Sequence, residues 1–238
     1  GDTLRNPNYL WRGSLQTFDC VVANPPFSLK NWGAEQFSSD IYGRNFWGCP
    51  TDSNGDFAWL QHMVKSMDPK TGRCAVVLPQ GVLFRGGKEG EIRKQLVESD
   101  KLEGVITLTG GVFYSTGVSA CILFLNNNKS AEHRRKVCLI DASGIYTPQR
   151  AQNVMTEEDI QRVYSLYSAY EDVIERVKIA TVADIREKDY TLAINNYIEK
   201  KEQETIPPEE VRRQYFEAYE AMLRAEERMK KLLLEGGY

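Results

Sequence analysis

The residues best suited to chemistry form the tetrapeptide Asn24-Pro25-Pro26-Phe27, which directly follows the apolar run 18–23. The side-chain oxygen of Asn24 and the carbonyl of Pro25 are two hydrogen-bond acceptors. Two acceptors aimed at the hydrogens of an exocyclic aromatic amine favour a pyramidal nitrogen, whose lone pair is then free to attack. Proline fixes φ and has no N–H, so the backbone is stiff, while Phe27 can stack on a planar ring. The tetrapeptide therefore predicts activation of an aromatic amine; the simpler alternative is a strand that ends in a Pro-Pro turn with a buried Phe.

The pattern of strands and helices predicts how this tetrapeptide is positioned. Apolar runs bounded by breakers predict strands at residues 18–23, 73–79, 102–108, 118–125 and 136–140. Apolar periodicity predicts helices at 57–67, capped by Asp56, and at 89–98. The alternation favours parallel strands, but the connection between the third and fourth strands is too short for a crossover helix, which predicts an antiparallel pair. We therefore expect an open α/β sheet with an antiparallel edge, and ligands at the carboxyl ends of its strands, where Asn24 lies.

The character of the sequence changes in the last third of the chain. Thr156 and Asp159 have the spacing of a capping box, and an apolar face rich in tyrosine follows them. Pro207-Pro208 is expected to open a long helical tail, because proline is favoured at the first helical position, and Gly236-Gly237 is expected to end it. The predicted parts are an α/β catalytic domain at residues 1–150 and a helical C-terminal extension at residues 151–238.

Composition and charge exclude several classes of protein. The 238 residues carry 30 Lys and Arg against 33 Asp and Glu, so the formal net charge of −3 excludes a generally basic nucleic-acid coat. The apolar runs are far shorter than the roughly 20 residues of a membrane span, so no membrane partner is expected. The 5 cysteines include no CxxC pair, and with 2 histidines they form no usual zinc set, so no metal is expected. Reduced thiols and the lack of a signal segment favour a cytoplasmic protein.

Several blocks of sequence together resemble one known family. The segment from Phe18-Asp19 to Phe27 is similar to the catalytic motif of amino-group DNA methyltransferases that act on adenine. Later blocks narrow the resemblance to the modification (M) subunit of type I restriction-modification systems. These blocks match in order at residues 56–63, 72–87, 105–108, 113–118 and 121–125. The resemblance implies a Rossmann-like methyltransferase sheet and transfer of a methyl group from S-adenosylmethionine to the exocyclic 6-amino group of adenine in DNA.

The resemblance also implies roles for individual residues. The implied site residues are, for catalysis, Asn24, Pro25, Pro26 and Phe27; for the cofactor, Asp2 and Thr3; and for stacking on the flipped base, Phe27 with Phe113 or Tyr114. The sequence leaves open which of the last two contacts the base. The implied partners are double-stranded DNA with a flipped adenine, a specificity (S) subunit that docks on the long C-terminal helix, and, as an open alternative, a restriction (R) subunit in the same complex.

One part of the family pattern does not occur. The family carries a glycine-rich cofactor loop upstream of the catalytic motif, whereas here no G-x-G-x-x-G element follows a predicted strand. The pairs Gly86-Gly87 and Gly110-Gly111 fit ordinary turns. We therefore expect the chain to be the C-terminal portion of such a methyltransferase, inactive by itself. Two alternatives stay open: a non-catalytic assembly or binding fragment, and a methyltransferase of glutamine or RNA amino groups with the same Asn-Pro-Pro core.

Two further groups of residues allow either a functional or a structural role. Aromatic residues in the long segment 28–55 line the entry for a flipped nucleotide or form a satellite core; they are Trp32, Phe37, Tyr42, Phe46 and Trp47. Basic residues near the predicted active face, among them Arg85 and Arg93, meet DNA phosphates or are ordinary charges of a helix and a loop.

Overall fold

The computed structural model describes residues 1–113, 117–150, 152–198 and 207–236. Contacts between Cα atoms divide the chain into two compact units, Gly1–Glu199 and Lys200–Tyr238. The strands of the first unit are β1 (Leu10–Trp11), β2 (Ser14–Leu15), β3 (Cys20–Ala23), β4 (Arg73–Pro79), β5 (Leu102–Thr107), β6 (Ala120–Asn126), β7 (Lys136–Asp141), β8 (Thr147–Pro148), β9 (Asn153–Val154) and β10 (Val177–Thr181). Its α-helices are α1 (Ala34–Ser38), α2 (Asp56–Lys65), α3 (Lys88–Glu98), α4 (Glu157–Ala169) and α5 (Val182–Glu187), with 3₁₀ turns at Gln80–Leu83 and Ile194–Asn196. The second unit contains α6 (Pro208–Glu235).

The main sheet of the first unit has the strand order β10-β7-β5-β6-β4-β3. The pairs β3–β4 and β5–β7 are parallel, whereas β6 is antiparallel to both β4 and β5, and β10 is antiparallel to β7. These pairings confirm the α/β class and the antiparallel pairing of the third and fourth predicted strands. The edge differs from the expectation, because β6 lies inside the sheet and β10 forms the antiparallel edge.

The sheet separates two apolar cores. Leu123 and Leu125 of β6 belong to the larger core, together with side chains of α2 and α3. Ile122 and Phe124, the alternate residues of β6, pack against the smaller core, which includes Val163 of α4. Successive side chains of a strand point to opposite faces, so both faces of β6 are covered. Burial of both faces explains why the interior strands are nearly continuous apolar runs.

The compact units separate after Glu199, whereas the sequence predicts a boundary between residues 150 and 151. The difference arises because β10 pairs with β7 and completes the sheet. The backbone N–H of Leu192 also donates to the Leu83 carbonyl at 2.7 Å. Residues well beyond 150 are thus part of the first unit.

Local signals account for the start of α4. The N–H of Asp159 donates to Thr156 Oγ1 at 3.2 Å, and the N–H of Thr156 donates to Asp159 Oδ2 at 2.9 Å. These reciprocal bonds confirm the predicted capping box, which satisfies two backbone donors at the helix end.

Among the described residues of the second unit, the secondary structure consists of the helix α6. Pro208 is its first residue, as the Pro207-Pro208 pair predicts. It buries none of its side chains and exposes an apolar stripe that includes Tyr215, Tyr219 and Met222. Across both units, none of the described helices combines the length and the apolar character that a membrane crossing requires.

Candidate functional site

The tetrapeptide Asn24-Pro25-Pro26-Phe27 leaves the carboxyl end of β3, which is an edge strand of the main sheet. Asn24 is exposed and Pro25 is buried, so a stiff and packed backbone carries an accessible amide. Within the part of the chain that the structure describes, the Asn24 side chain makes no hydrogen bond. Its amide oxygen is therefore available to a substrate at the edge where α/β sheets bind ligands.

Two of the predicted base-stacking residues lie together at this site. The rings of Phe27 and Phe113 meet edge to face, with centroids 6.1 Å apart and planes at 75°. Both side chains are half-buried, so part of each ring is accessible. Tyr114, the alternative to Phe113, lies outside the described residues.

The loop at residues 110–113 is held by the hairpin of β8 and β9. Nδ2 of Asn153 donates to the carbonyl of residue 110 at 2.8 Å, and the backbone N–H of Asn153 donates to that of residue 111 at 3.0 Å. Nε2 of Gln152 donates to the carbonyl of residue 112 at 2.7 Å. Gly111 has a φ of +75°, a conformation that favours glycine. The predicted Gly110-Gly111 turn is present, but no sequence signal predicts the hairpin that holds it.

The carboxylate of Asp56 contacts the chain immediately after Phe27. Asp56 is 0% exposed; its Oδ1 accepts the N–H of Ser28 at 2.7 Å, and its Oδ2 accepts from Nη2 of Arg85 at 2.5 Å. The prediction that Asp56 caps α2 is wrong, because the cap residue is Gly55, which has no side chain that could cap the helix. Asp56 is the first helical residue, and its carboxylate bonds to two loops, at Ser28 and at Arg85.

The two basic residues near the site have structural partners. Arg93 is 3% exposed and donates to the carbonyls of Tyr190 at 2.7 Å and Arg85 at 2.7 Å. Arg85 forms ion pairs with Asp56 at 2.5 Å and with Glu89 at 2.8 Å. For Arg93, burial excludes a contact with a DNA phosphate, and for Arg85 both acidic partners already supply the counter-charge.

The aromatic residues of segment 28–55 divide between packing and exposure. Trp32 and Phe37 are 1% and 2% exposed and form a small separate core with Leu4. Trp47 is half-buried against the main core, whereas Phe46 is 44% exposed. The satellite-core interpretation is therefore correct for Trp32 and Phe37, and the entry interpretation stays a prediction for Phe46.

The predicted cofactor residues Asp2 and Thr3 lie in a turn near Arg5. Arg5 donates its backbone N–H to Asp2 Oδ1 at 3.1 Å and Nη1 to Oδ2 at 2.6 Å. Partial burial opposes ionisation, but these bonds and the charge of Arg5 hold the pKa of Asp2 below its usual value, so the carboxylate is charged at neutral pH. Nη2 of Arg5 also donates to the Asn31 carbonyl at 2.6 Å, which joins this turn to the segment after Phe27.

A buried ion pair supports the same turn. Arg44 and Asp40 pair at 2.7 Å, and their side chains are 2% and 4% exposed. Arg44 also donates to the carbonyls of Thr3 at 3.1 Å and Leu4 at 2.8 Å. Sequence reasoning missed this pair, because an i, i+4 spacing of opposite charges is common on exposed helices and does not indicate burial.

The residues of the turn fit one part of S-adenosylmethionine. Each oxygen of the Asp2 carboxylate retains a lone pair that can accept a polar hydrogen of the adenosine half. The amino-acid half carries charged groups that backbone N–H groups of a glycine-rich turn are suited to bind. In the residues that the structure describes, no G-x-G-x-x-G turn follows a strand, and the Gly110-Gly111 turn is bonded to the hairpin. Asp2 thus stays the predicted contact for the adenosine half, and the described residues include no glycine-rich turn after a strand for the amino-acid half.

Comparison with known sequences places this site in a family context. The family model described as N-6 DNA Methylase matches residues 1–205. The chain is 33% identical over 207 residues to the type I restriction enzyme MjaVII methylase subunit of Methanocaldococcus jannaschii, which covers 83% of this chain and 35% of that protein. It is 36% identical over 194 residues to the HindI methylase subunit of Haemophilus influenzae, which covers 78% of this chain and 43% of that protein. The chain thus spans less than half the length of these relatives.

Solved structures agree with the sequence comparison. The type I restriction-modification methyltransferase subunit from Streptococcus thermophilus matches with a TM-score of 0.75 and 34% identity, over 83% of this chain and 41% of that one. The EcoKI M protein, at 24% identity and a TM-score of 0.55, shares the fold over 94% of this chain and 51% of that chain. These matches confirm the methyltransferase fold and the resemblance to type I modification subunits.

Proposed function

This chain belongs to the N-6 DNA methylase family, and on that premise we propose that it forms the target-amine portion of an adenine-specific DNA methyltransferase. The observation that carries the proposal is the exposed amide of Asn24 at the carboxyl end of β3, beside the paired rings of Phe27 and Phe113. The substrate is the exocyclic 6-amino group of an adenine flipped out of duplex DNA. The methyl donor is S-adenosylmethionine, and the chain corresponds to the C-terminal portion of a type I modification subunit.

The reaction follows from the hydrogen-bonding groups of the tetrapeptide. Oδ1 of Asn24 and the carbonyl of Pro25 accept the two N–H bonds of the adenine amine, which localises the nitrogen lone pair. Phe27 stacks on the base and holds the amine in line for attack. When bound, S-adenosylmethionine supplies an electrophilic methyl group. No strong base is required, because the nitrogen is positively charged once its bond to the methyl group has formed. Asn24 accepts the hydrogen bond of the amine until water takes the proton.

Replacement of Asn24 tests this proposal. In the complete methyltransferase, Asn24→Ala should reduce kcat by at least about 100-fold, because the lost acceptor acts on the developing charge in the transition state. The affinity for S-adenosylmethionine should stay within about twofold, since Asn24 contacts the amine. Asn128→Ala is the matched control, because Asn128 is an exposed asparagine beyond the opposite end of the sheet. Methylation of duplex DNA by Asn24→Ala at a rate near that of the unaltered protein would reject the assignment.

The exposed stripe of α6 supports a proposal about assembly. A helix of 28 residues that buries none of its side chains in its own unit presents an apolar surface to partner helices. We propose that the specificity subunit docks on this helix, and that a restriction subunit joins the same complex. Because duplex DNA is the proposed substrate, the proposed location is the cytoplasm.

A second candidate function is a non-catalytic assembly or binding fragment. The observation in its favour is that the described residues fit only the adenosine half of the cofactor. A methyltransferase of glutamine or RNA amino groups is the remaining alternative. Methyl transfer by the complete protein to duplex DNA, single-stranded RNA and a glutamine peptide separates these possibilities, and we expect transfer to DNA alone.

A further inference from the structure

Four charged side chains form a cluster, and one of them, Asp56, bonds to Ser28, the residue that follows Phe27. Asp56, Glu89 and Arg93 are 0%, 6% and 3% exposed, and the side chain of Arg85 is 30% exposed. Burial of a charge carries a desolvation cost that pairing only partly offsets, and apolar side chains of similar volume are often at least as stabilising. Stability is therefore a weak explanation, by itself, for the charges of this cluster.

Asp56 connects the cluster to the loop 24–28, which carries the tetrapeptide and is called the target-amine loop below. Its Oδ1 accepts the N–H of Ser28 at 2.7 Å, and Ser28 is bonded covalently to Phe27. A second bond fixes the next residue, because the N–H of Gly55 donates to the carbonyl of Leu29 at 2.9 Å. The start of α2 thus holds the chain at two successive residues after the tetrapeptide.

The backbone of Ser28 needs such support. Its φ is +50°, in the left-handed region that non-glycine residues adopt only at a cost in free energy. The chain turns at Phe27 and Ser28, so this conformation fixes the path of the backbone directly after the Phe27 ring. A strained conformation persists only where the surroundings determine it, and the Asp56 carboxylate is the group that bonds to the Ser28 amide.

The other carboxylate oxygen of Asp56 is fixed through α3. Arg85 donates to Asp56 Oδ2, and its Nε lies 2.8 Å from Oε2 of Glu89. Arg93 donates to the Arg85 carbonyl at 2.7 Å. Burial raises the pKa of Glu89, while the guanidinium of Arg85 acts against that rise. The contacts form a continuous path from α3 through Asp56 to the target-amine loop.

We propose that Asp56 is a positioning residue for the target-amine loop; the proposal rests on the proposed roles of Asn24 and Phe27. Its carboxylate accepts the N–H of Ser28 and so fixes the turn there. Arg85 donates to the same carboxylate, and Glu89 and Arg93 in turn contact Arg85. Sub-ångström placement of the acceptor and of the stacking ring decides how well the amine is aligned, so loss of this anchor should reduce turnover while the groups that bind DNA and cofactor stay intact.

Two variants of Asp56 separate its contacts. Asp56→Ala removes both acceptors, whereas Asp56→Asn keeps one acceptor for the Ser28 amide and removes the charge that pairs with Arg85. Arg85→Gln tests the same path without altering a fully buried residue, and it keeps the test valid if Asp56→Ala does not fold. Asp52→Ala is the matched control, because Asp52 is an exposed acid of the same segment and bonds to Asn31 through its backbone carbonyl.

The first measurement uses the 238-residue chain and requires no activity. NMR follows hydrogen exchange of the Ser28 amide and the NOE between the rings of Phe27 and Phe113. In Asp56→Ala the exchange should accelerate at least about 10-fold and the NOE should disappear. Asp56→Asn and Arg85→Gln should show intermediate changes, and Asp52→Ala should show none. Unchanged exchange and an unchanged NOE in Asp56→Ala and Arg85→Gln would overturn the proposal.

The second measurement uses kinetics of the complete methyltransferase. Asp56→Ala should lower kcat by about 10- to 100-fold with KM for DNA within about twofold, since misalignment affects the reacting geometry. A loss confined to KM, or an effect equal to that of Asp52→Ala, would also overturn the proposal. The proposed function fails separately: normal methylation by Asn24→Ala would reject it, even if Asp56→Ala abolishes the contact between the two rings.

Discussion

The amide of Asn24 is a hydrogen-bond acceptor, and the packing of Pro25 and Phe27 limits its motion. Asn24 is exposed, but Pro25 is buried and Phe27 is half-buried, so the flanking residues are packed while the amide is accessible. A preorganised acceptor stabilises charge that develops in the transition state without the cost of reorganisation. The burial of the two neighbours is therefore as important to the proposed reaction as the exposure of the amide.

Replacement of Phe27 should separate stacking from packing. Phe27→Ala should weaken capture of the flipped base by about 1–3 kcal/mol, which is roughly 5- to 150-fold, whereas Phe27→Tyr and Phe27→Trp should retain it, since any flat ring stacks. Fluorescence of 2-aminopurine at the target position of the DNA measures capture in the complete protein. Tyr164→Ala is the control, because Tyr164 is an exposed aromatic residue of α4, which has no proposed role in base capture. Equal behaviour of Phe27→Ala and Phe27→Trp would show that Phe27 only packs.

At the scale of elements, the hairpin of β8 and β9 supports the loop that carries Phe113. Gln152→Ala removes the bond to the carbonyl of residue 112 and should lower the free energy of unfolding by about 0.5–1.5 kcal/mol. It should also weaken the NOE between the rings of Phe27 and Phe113. Gln149→Ala, three residues earlier in the same hairpin, should change the unfolding free energy by less than about 0.5 kcal/mol. Urea unfolding checks both values, and equal losses in the two variants would contradict this role of the hairpin.

The end of α3 is joined to α5 by a carboxylate that should make stability depend on pH. Arg186 and Tyr190 each bond to Glu98 Oε1 at 2.7 Å, Arg135 pairs with Oε2 at 3.1 Å, and together they lower the pKa of Glu98 to about 2. A lowered pKa stabilises the folded state fully above the ordinary pKa of a glutamate, and that stabilisation is lost as pH falls towards about 2.

Glu98→Gln should therefore reduce the free energy of unfolding at pH 7 by about 0.5–1 kcal/mol, a modest value because the pair is partly exposed and screened by solvent. The difference from the unaltered protein should shrink when urea unfolding is repeated at about pH 3.5, below the ordinary pKa of glutamate. Glu91→Gln, at an exposed position of the same helix, is the control. A difference that stays constant between the two pH values would contradict the linkage.

Apolar patterns along the chain predict the larger elements but not their neighbours. The predicted strand 73–79 has the same bounds as β4, and the predicted helix 89–98 differs from α3 only at its first residue, Lys88. Both are predictable because burial gives their apolar residues a clear pattern. The position of β6 between β4 and β5 follows from long-range pairing, which local periodicity does not encode. The two-residue strands of the β8–β9 hairpin are too short to show a period.

The candidate site shows the same division between local and distant information. Asn24 and Phe27 are recognisable because their types and order carry the chemistry. Asp56 was predicted as a helix cap from its position before an apolar face, a common role for that residue type. Its actual partners, Ser28 and Arg85, are separated from it by 28 and 29 residues, and no local pattern links them.

At the scale of the whole molecule, the segment 28–55 links the two halves of the candidate site. Arg5 bonds to the Asn31 carbonyl, and Arg44 bonds to the carbonyl of Thr3, so the turn of Asp2 is attached to this segment. The Asp56 carboxylate attaches the other side of the site at the end of the same segment. The turn of Asp2, which is the proposed cofactor contact, and the target-amine loop are thus parts of one compact unit, although they come from different stretches of the chain.

The proposed cofactor contacts of that unit concern the adenosine half of S-adenosylmethionine alone, which leads to a prediction for the isolated chain. A micromolar affinity corresponds to about 8.2 kcal/mol, and charge-assisted hydrogen bonds contribute about 1.5–3 kcal/mol each. Without two or three such bonds to the amino-acid half, the dissociation constant should be millimolar or weaker, and the 238-residue chain should not methylate DNA. Calorimetry measures the binding, with Asp2→Ala as the variant that removes the remaining contact. Micromolar binding by the isolated chain would contradict this prediction. If Asp2→Ala left that binding unchanged, the cofactor would be held by residues other than this turn.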